Sequence, residues 1–196
     1  MRILIIGATG TIGRAVAEAL APQHEVVTAS RHAGDVRVDI SDPASIRAMY
    51  EKVGRVDAVI SAAGNAAFKP LEQLADDDFA FSLANKLMGQ VNLIRLGLGH
   101  VNDGGSFTVT SGVLAHSPMH GSGAVSLVNA GLEGFARAAA LEAPRGIRVN
   151  VVSPPWVTET LIALKMDPSH GMPAATVAHA YVRSATGSES GAVIAP

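Results

Sequence analysis

Three glycines near the start of the chain have the spacing of a phosphate-binding turn. They follow a continuous apolar run at residues 3–6, and an amphipathic helical pattern begins directly after them. A turn without side chains lets backbone N–H groups and the positive end of the helix dipole approach a pyrophosphate. A strand-to-helix turn that binds nothing is the alternative, but this context favours a dinucleotide site. The residues expected to contact the dinucleotide are Gly7, Thr9, Gly10, Thr11, Ile12 and Gly13.

A basic residue, Arg31, follows the second predicted strand at residues 25–30. In dinucleotide sites the tip of this strand lies beside the adenosine ribose, where an acidic residue accepts from the 2′-hydroxyl and a basic residue binds a 2′-phosphate. After Arg31 no acidic residue occurs until Asp35. A charge-assisted hydrogen bond contributes about 1.5 to 3 kcal/mol, or roughly tenfold to a hundredfold in affinity. The sequence therefore predicts NADP rather than NAD, with a solvated arginine as the alternative.

Strand and helix patterns alternate along the whole chain. This alternation predicts an α/β fold, with a doubly wound parallel sheet in a single domain and the ligand beyond the carboxyl ends of the strands. The small residues Ala62, Ala63 and Gly64 follow one strand and let the backbone pass close to a ligand. The further predicted strands are 36–40, 56–61, 106–110, 147–152 and 191–195, and the later helices are 43–53, 79–100, 123–143, 160–165 and 173–185.

The composition limits the classes of function. The chain has 196 residues, of which 48% are hydrophobic and 16% charged, and its net charge is −2 without a basic run. These values indicate a well-packed globular domain and argue against nucleic acid as a partner. The absence of cysteine excludes disulfides, thiolate metal ligands and cysteine nucleophiles, and it suits a cytoplasmic protein. We predict no metal site and no membrane-spanning segment.

The second half of the chain resembles the short-chain dehydrogenase/reductase family. The segments LEGFARAAALE at 132–142 and PRGIRVNVVSP at 144–154 carry the resemblance, and the glycine turn, Asp39, residues 62–64 and Asn85 extend it over nearly the whole chain. The Gly-x-x-Gly-x-x-Gly spacing is similar to that of extended and atypical members. The resemblance implies a Rossmann-like sheet of about seven strands over residues 1–196. It also implies NAD(P)(H) as cofactor, hydride transfer to or from a carbonyl or alcohol, and a homodimer or homotetramer.

The resemblance also assigns roles to individual residues. Asn85 matches the asparagine that supports a proton relay, and Ser111 best matches the serine that holds the substrate oxygen. The cofactor positions implied in the same way are Asp39, Ala62, Ala63, Gly64, Asn129, Pro154, Val157 and Thr158. Pro155 stands where the family usually has a glycine beside the nicotinamide.

The family's catalytic tyrosine and lysine have no counterparts in this sequence. Counted back from Gly134, the tyrosine position falls on Val125 and the lysine position on Asn129. The chain has tyrosine only at 50 and 181, and no lysine lies between Lys86 and Lys165. We expect Tyr181, in an apolar helical pattern, to be a packing residue.

Two histidines, His116 and His120, precede the helix at 123–143. His116 is our candidate for a replacement proton donor, because a histidine near its usual pKa can act as a general acid. The alternative is that both histidines are ordinary polar loop residues.

Three functions from different classes remain. The first is an NADP(H)-dependent oxidoreductase of unknown substrate with a degenerate catalytic site. The second is a non-catalytic NADP(H)-binding sensor or regulator similar to NmrA-like proteins, and the third is a structural oligomerising subunit. Cofactor turnover separates the first from the others, and cofactor binding separates the second from the third.

The two long predicted helices are apolar on more than one face. Because the sheet can cover only one face of each helix, the remaining apolar residues predict an interface between subunits. The residues concerned are Leu83, Leu87, Val91, Leu96 and Leu98 on the first helix, and Leu127, Val128, Leu132, Phe135, Ala139 and Leu141 on the second.

Overall fold

A computed structural model describes all residues, 1–196. Its centre is a seven-stranded parallel sheet with the strand order β3-β2-β1-β4-β5-β6-β7. The order reverses direction between β1 and β4, which is the position where ligands bind in doubly wound sheets. The strands are β1 Arg2–Ile6, β2 Glu25–Ser30, β3 Val36–Arg37, β4 Val56–Ser61, β5 Val101–Thr110, β6 Arg148–Val152 and β7 Val193–Ile194.

Helices cover both faces of the sheet. They are α1 Thr11–Leu20, α2 Pro43–Val53, α3 Asp76–Ser82, α4 Met88–Gly97, α5 Gly123–Glu142, α6 Thr158–Ala163 and α7 Ala174–Thr186. A π-helical turn, Leu83–Leu87, joins α3 to α4, and short 3₁₀ helices span Leu71–Gln73, Val113–Ala115 and Pro168–His170. The predicted Rossmann-like fold is confirmed.

The first strand shows why the sheet is buried on both faces. Leu4 and Ile6 pack into a core with α2, α4 and α5, whereas Ile3 and Ile5 pack into a second core with α1 and α7. Successive side chains of a strand point to opposite faces, so a continuous apolar run is required where both faces are covered. This run places the glycine turn at the carboxyl edge of the sheet.

Most predicted elements agree with the structure to within a few residues. Asp42 caps α2 by accepting a hydrogen bond from the Ala44 N–H at 2.8 Å, and Pro43 occupies the first turn as predicted. The predicted third strand is too long, because pairing ends at Arg37 and only the Val38 N–H continues toward Ser30 at 3.0 Å. No helix is long and apolar enough to cross a membrane.

The prediction of one continuous helix over residues 79–100 is wrong, because a π turn interrupts the helix. The helix begins three residues earlier, at Asp76, and its hydrogen-bond pattern widens to a π turn between Leu83 and Leu87. Asp78 fixes the start by accepting a hydrogen bond from the Ala75 N–H at 3.0 Å. A π turn adds a residue to the helical repeat and often occurs at functional sites. Hydrophobic periodicity does not reveal it, since the apolar pattern continues on both sides.

Much of the apolar surface predicted for an interface is buried within the chain. Val91, Val128 and Leu132 are buried hydrophobic residues. Only three of the predicted residues are largely exposed, namely Leu83, Leu127 and Leu141. Phe81 and Met88 are exposed on the same helical segment as Leu83. Oligomer formation through these helices stays a prediction.

Candidate functional site

The glycine turn is held by close backbone contacts. Gly7 has a φ of +83°, and a Cβ there would lie 2.8 Å from the Ala62 carbonyl oxygen. A Cβ on Gly13 would lie 2.1 Å from the Gly7 carbonyl oxygen. Gly10 has no such close contact, because its Cβ would lie 3.4 Å from the nearest atom. The backbone geometry therefore requires glycine at the first and third positions of this turn.

The N-terminus of α1 is suited to an anion. Gly10 forms the cap without a side-chain hydrogen bond, and the first turn contains no acidic residue. The residues Thr9, Gly10 and Thr11 are exposed. Unpaired N–H groups and the helix dipole are therefore directed toward solvent at the carboxyl edge of the sheet, as phosphate binding requires.

Two clefts adjoin this turn. The larger cleft has a volume of about 600 Å³ and includes Ile12, and the smaller cleft has about 410 Å³ and includes Gly7. Both clefts are bordered by Gly64 and Asn65, which follow β4. Their common edge lies where the strand order reverses. An extended ligand with two chemically different ends fits this arrangement.

The smaller cleft is polar. Arg31 and Asp39 form an ion pair at 2.8 Å on its wall, and Ala63 and Asn85 also line it. Hydrogen bonds from Ser41 and Arg31, opposed by partial burial, hold the pKa of Asp39 below its usual value. The structure thus brings the predicted cofactor residues Gly7, Arg31, Asp39, Ala63 and Gly64 to one cleft. Ala62 contacts the turn through its carbonyl group instead.

The larger cleft is mainly apolar. Five predicted cofactor residues line it, namely Ile12, Gly64, Asn129, Pro154 and Val157, but Thr158 does not. The Thr158 N–H is bonded to the Met172 carbonyl at 3.0 Å, at the start of α6. The apolar wall includes Val113, Leu114, Val125, Trp156, Leu164 and Met166. Leu164 and Met166 belong to the short segment after α6, so this segment reaches the cleft.

Lys86 is the only charged residue that lines the larger cleft. It lies within the π turn, and its Nζ is 3.4 Å from the Ser111 carbonyl oxygen, with no carboxylate partner. Burial lowers the pKa of Lys86 to about 8, because the low-dielectric surroundings penalise the ammonium form. Sequence reasoning named this residue but assigned it no role.

Neighbouring residues hold the Lys86 backbone in position. A Cβ on Gly64, where φ is +120°, would lie 3.0 Å from the Lys86 Cα, so glycine is needed for the loop to pack there. Gln90 is fully buried and donates through Nε2 to the carbonyls of Lys86 at 3.3 Å and Thr110 at 2.9 Å. Its Oε1 also accepts from the Thr110 N–H at 2.8 Å. These contacts tie the π turn to the end of β5.

Asn129 has one buried polar atom without a partner. Its Nδ2 donates weakly to the Gly112 carbonyl at 3.4 Å, whereas its Oδ1 forms no hydrogen bond. A buried acceptor without a partner destabilises a protein by about 1 to 3 kcal/mol. A ligand hydroxyl in the cleft would satisfy this oxygen. The residues present therefore fit a dinucleotide that carries phosphates at one point and ribose hydroxyls at another.

Ser111 lines the larger cleft, but its hydroxyl is engaged elsewhere. The Oγ donates to the buried Glu133 carboxylate at 3.0 Å, and the other Glu133 oxygen lies 2.6 Å from His116 Nε2. His116 is not part of the cleft wall, and its side chain is 63% exposed. The structure thus brings two predicted catalytic residues, Ser111 and His116, to one carboxylate rather than to a common point in the cleft.

The third predicted catalytic residue, Asn85, lines the smaller cleft. Its Oδ1 accepts a hydrogen bond from the Asn65 N–H at 2.8 Å, which fixes the loop after β4 to the π turn. No tyrosine lines either cleft. Tyr50 donates to the Leu93 carbonyl at 2.7 Å, and Tyr181 is bonded to Thr110 at 2.7 Å. Both are fully buried, and burial raises the pKa of each phenol.

Comparisons with known proteins agree with this architecture. A family model described as Enoyl-(Acyl carrier protein) reductase matches residues 7–195. The 3-oxoacyl-(acyl-carrier-protein) reductase FabG of Escherichia coli (strain K12) is 30% identical over 193 residues, covering 86% of this chain and 79% of the relative. Hydroxynaphthalene reductase arp2 of Aspergillus fumigatus is 29% identical over 132 residues, covering 65% of this chain. The chain spans only 48% of the length of that relative.

Solved structures show the same fold. The protein lin1944 from Listeria innocua has a TM-score of 0.96 at 44% identity, and the comparison covers 100% of this chain and 98% of that one. A small-chain dehydrogenase in complex with NADPH has a TM-score of 0.88 at 26% identity, with 100% and 96% covered. The chain belongs to the short-chain dehydrogenase/reductase family of oxidoreductases, whose solved members include NADP(H) complexes.

Proposed function

We propose that this protein is an NADP(H)-dependent oxidoreductase that interconverts an uncharged, mainly apolar carbonyl compound and its alcohol. The observation that carries the proposal is the meeting of two unlike clefts at Gly64 and Asn65. One is polar and contains Arg31, and the other is apolar and contains Lys86 and Asn129. The solved relative with NADPH supports the choice of cofactor.

We assign residues 1–196 to one NAD(P)-binding domain and the polar cleft to the adenosine end of the cofactor. The turn from Gly7 to Gly13 would bind the phosphates, and Arg31 would bind the 2′-phosphate while Asp39 contacts the adenosine. Asn129 would accept from a ribose hydroxyl through its unpartnered Oδ1. A bound nicotinamide dinucleotide supplies or accepts the hydride, and this chain's residues orient it toward the apolar cleft.

The same assignment defines the substrate class. Away from Lys86, the apolar wall favours the uncharged part of a substrate, since burying an unpaired charge there is costly. Val125 and Asn129 occupy the places of the family's tyrosine and lysine, so the reaction would run without that pair. An apolar ketone or aldehyde is therefore a better candidate than a polar one.

A cofactor and substrate screen tests this function. We expect calorimetry to show tighter binding of NADPH than of NADH, and absorbance at 340 nm to show NADPH oxidation with some members of a panel of apolar ketones and aldehydes. Binding of NADPH without any turnover would favour the sensor or regulator, and absence of binding would favour a structural subunit.

We also propose that the protein forms a homodimer or homotetramer through α4 and α5. Leu83 in the adjoining π turn, Met88 on α4 and Leu127 on α5 are 36%, 43% and 49% exposed. Exposed apolar side chains grouped on one face are typical of subunit interfaces. Light scattering at micromolar concentration should show an oligomer for the wild type and a smaller species for Leu127→Lys. A monomeric wild type would contradict the proposal.

A further inference from the structure

We propose that Lys86 is the proton donor of the larger cleft, where its ammonium group binds the oxygen of the substrate carbonyl and protonates it during reduction. This inference rests on the proposed function, because it requires a carbonyl substrate and a reduced dinucleotide. No role for this lysine follows from the family resemblance. The assignment comes from its position in the π turn.

The geometry leaves Lys86 available for a ligand. Its Nζ makes one long contact, 3.4 Å to the Ser111 carbonyl oxygen, and forms no salt bridge. An ammonium group has three donors, so two remain for an oxygen in the cleft. Apolar residues such as Val125 and Trp156 line the same cleft. An oxygen acceptor entering the cleft would meet no other charged donor.

No acidic side chain neutralises Lys86 directly. Helices α3, α4 and α5 pack against the π turn. Three charged residues on these helices have hydrogen-bond partners other than Lys86. Asp78 is bonded to Lys69, Arg95 to Asn92, and Glu133 to Ser111 and His116. The remaining charged residues on these helices are exposed, namely Asp76, Asp77, Arg137 and Glu142. None of them lines the larger cleft.

The proton balance of the step is complete. The carbonyl carbon accepts a hydride from the reduced dinucleotide and forms a C–H bond, while the C=O π pair takes a proton from Nζ and forms the alcohol O–H. The carbonyl is reduced, the dinucleotide is oxidised, and Nζ becomes a neutral amine that regains a proton from water. Burial lowers the pKa of Lys86 to about 8, which suits a general acid working near neutral pH.

Steady-state kinetics with an apolar ketone found in the screen is the first test. We expect Lys86→Met to lower kcat by about 10² to 10⁴, while the Kd of NADPH changes less than threefold. Lys52→Met is the matched control, because Lys52 is exposed on α2 and far from the cleft in sequence and contacts. In the wild type, kcat for reduction should fall as the pH rises through about 8.

A second variant separates proton donation from electrostatic stabilisation. Lys86→Arg keeps the positive charge, but a guanidinium does not release its proton near neutral pH. We expect this variant to remain as slow as Lys86→Met. If Lys86→Arg restores the wild-type kcat, a fixed charge suffices and proton donation is overturned.

NMR of reductively ¹³C-methylated protein provides a measurement that does not depend on turnover. The Lys86 signal is identified by its absence in Lys86→Met, and it should titrate near pH 8. Cyclohexanecarboxylate, added with NADP⁺, imitates the alkoxide oxygen and should shift this signal but not that of Lys52.

The outcomes distinguish the two proposals. Equal ketone reduction by wild type and Lys86→Met overturns the role of Lys86 and leaves the proposed function intact. If no carbonyl compound is reduced but the carboxylate shifts the Lys86 signal, the proposed function and proton donation both fail, and only oxygen binding by Lys86 stands. No turnover together with no shift overturns both.

Discussion

The smaller and the larger cleft share an edge at Gly64 and Asn65, but the charged side chains are paired in the smaller cleft and unpaired in the larger one. In the smaller cleft Arg31 and Asp39 form an ion pair, and their side chains remain 52% and 37% exposed. In the larger cleft Lys86 has no ionic partner, and burial lowers its pKa. In the ion pair the pKa of Asp39 is held below its usual value, so its carboxylate stays charged at neutral pH, whereas a lone desolvated amine can change protonation there. The comparison therefore separates the cleft that we propose to bind the cofactor from the cleft that we propose to react.

We expect the largest effect from a substitution that disrupts the glycine turn, on which both clefts depend. Gly13→Ala would place a Cβ 2.1 Å from the Gly7 carbonyl oxygen, a backbone atom that cannot move aside without displacing β1. We expect the free energy of unfolding to fall by about 3 kcal/mol and NADPH binding to be lost. Thermal unfolding and calorimetry measure both. Gly10→Ala in the same turn is the control, because its Cβ has room and should leave the stability within about 1 kcal/mol.

A change confined to the smaller cleft should alter cofactor choice alone. Arg31→Ala removes the charge expected to bind a 2′-phosphate, so NADPH affinity should fall roughly tenfold to a hundredfold, with little change for NADH. Calorimetric titration of both cofactors measures the difference. Arg137→Ala is the control, since Arg137 is exposed on α5 and forms no salt bridge. Equal affinity of the wild type for both cofactors would show that Arg31 does not select between them.

The lone charge of the larger cleft should make stability depend on pH. The pKa of Lys86 is about 8 in the folded state and 10.5 as its ordinary value. Between these values the unfolded chain binds the proton and the folded chain does not, so wild-type stability should rise with pH in this window. Below pH 8, Lys86→Met should be more stable than the wild type by about 1 to 3 kcal/mol. Chemical unfolding at pH 7 and pH 10 tests this, and an advantage that grows with pH would contradict the assigned burial.

The smallest effect should come from the wall behind the larger cleft. His116→Ala removes one partner of Glu133, but the 63% exposure of the histidine leaves room for water to replace it. We therefore expect a loss of about 1 kcal/mol in stability and most of the reductase activity to remain. Unfolding and kinetic assays should use His120→Ala as control, because His120 is exposed in the same loop without a side-chain hydrogen bond. Loss of activity specific to His116→Ala would return that histidine to a catalytic role.

Local sequence patterns were sufficient to predict the glycine turn and the elements around the smaller cleft. The apolar run at residues 3–6, the glycines at 7 and 13 and the capping pair Asp42-Pro43 each act within a few residues of the chain. Their consequences, a buried strand, a tight turn and a helix start, are decided by local sterics and hydrogen bonding. For this reason the sequence predicted the order of elements, the confirmed fold and the cleft that contains Arg31 and Asp39.

The larger cleft was decided by tertiary structure. Sequence reasoning placed Ser111 and His116 in the site, but folding turned both toward Glu133, a residue on α5 that no local pattern links to them. Lys86 is brought into the cleft by a π turn, which is held by Asn65 bonded to Asn85 and by Gln90 bonded to Thr110. These partners are 20 residues apart in each case. The sequence determined which side chains were available, and long-range hydrogen bonds decided which of them face the cleft.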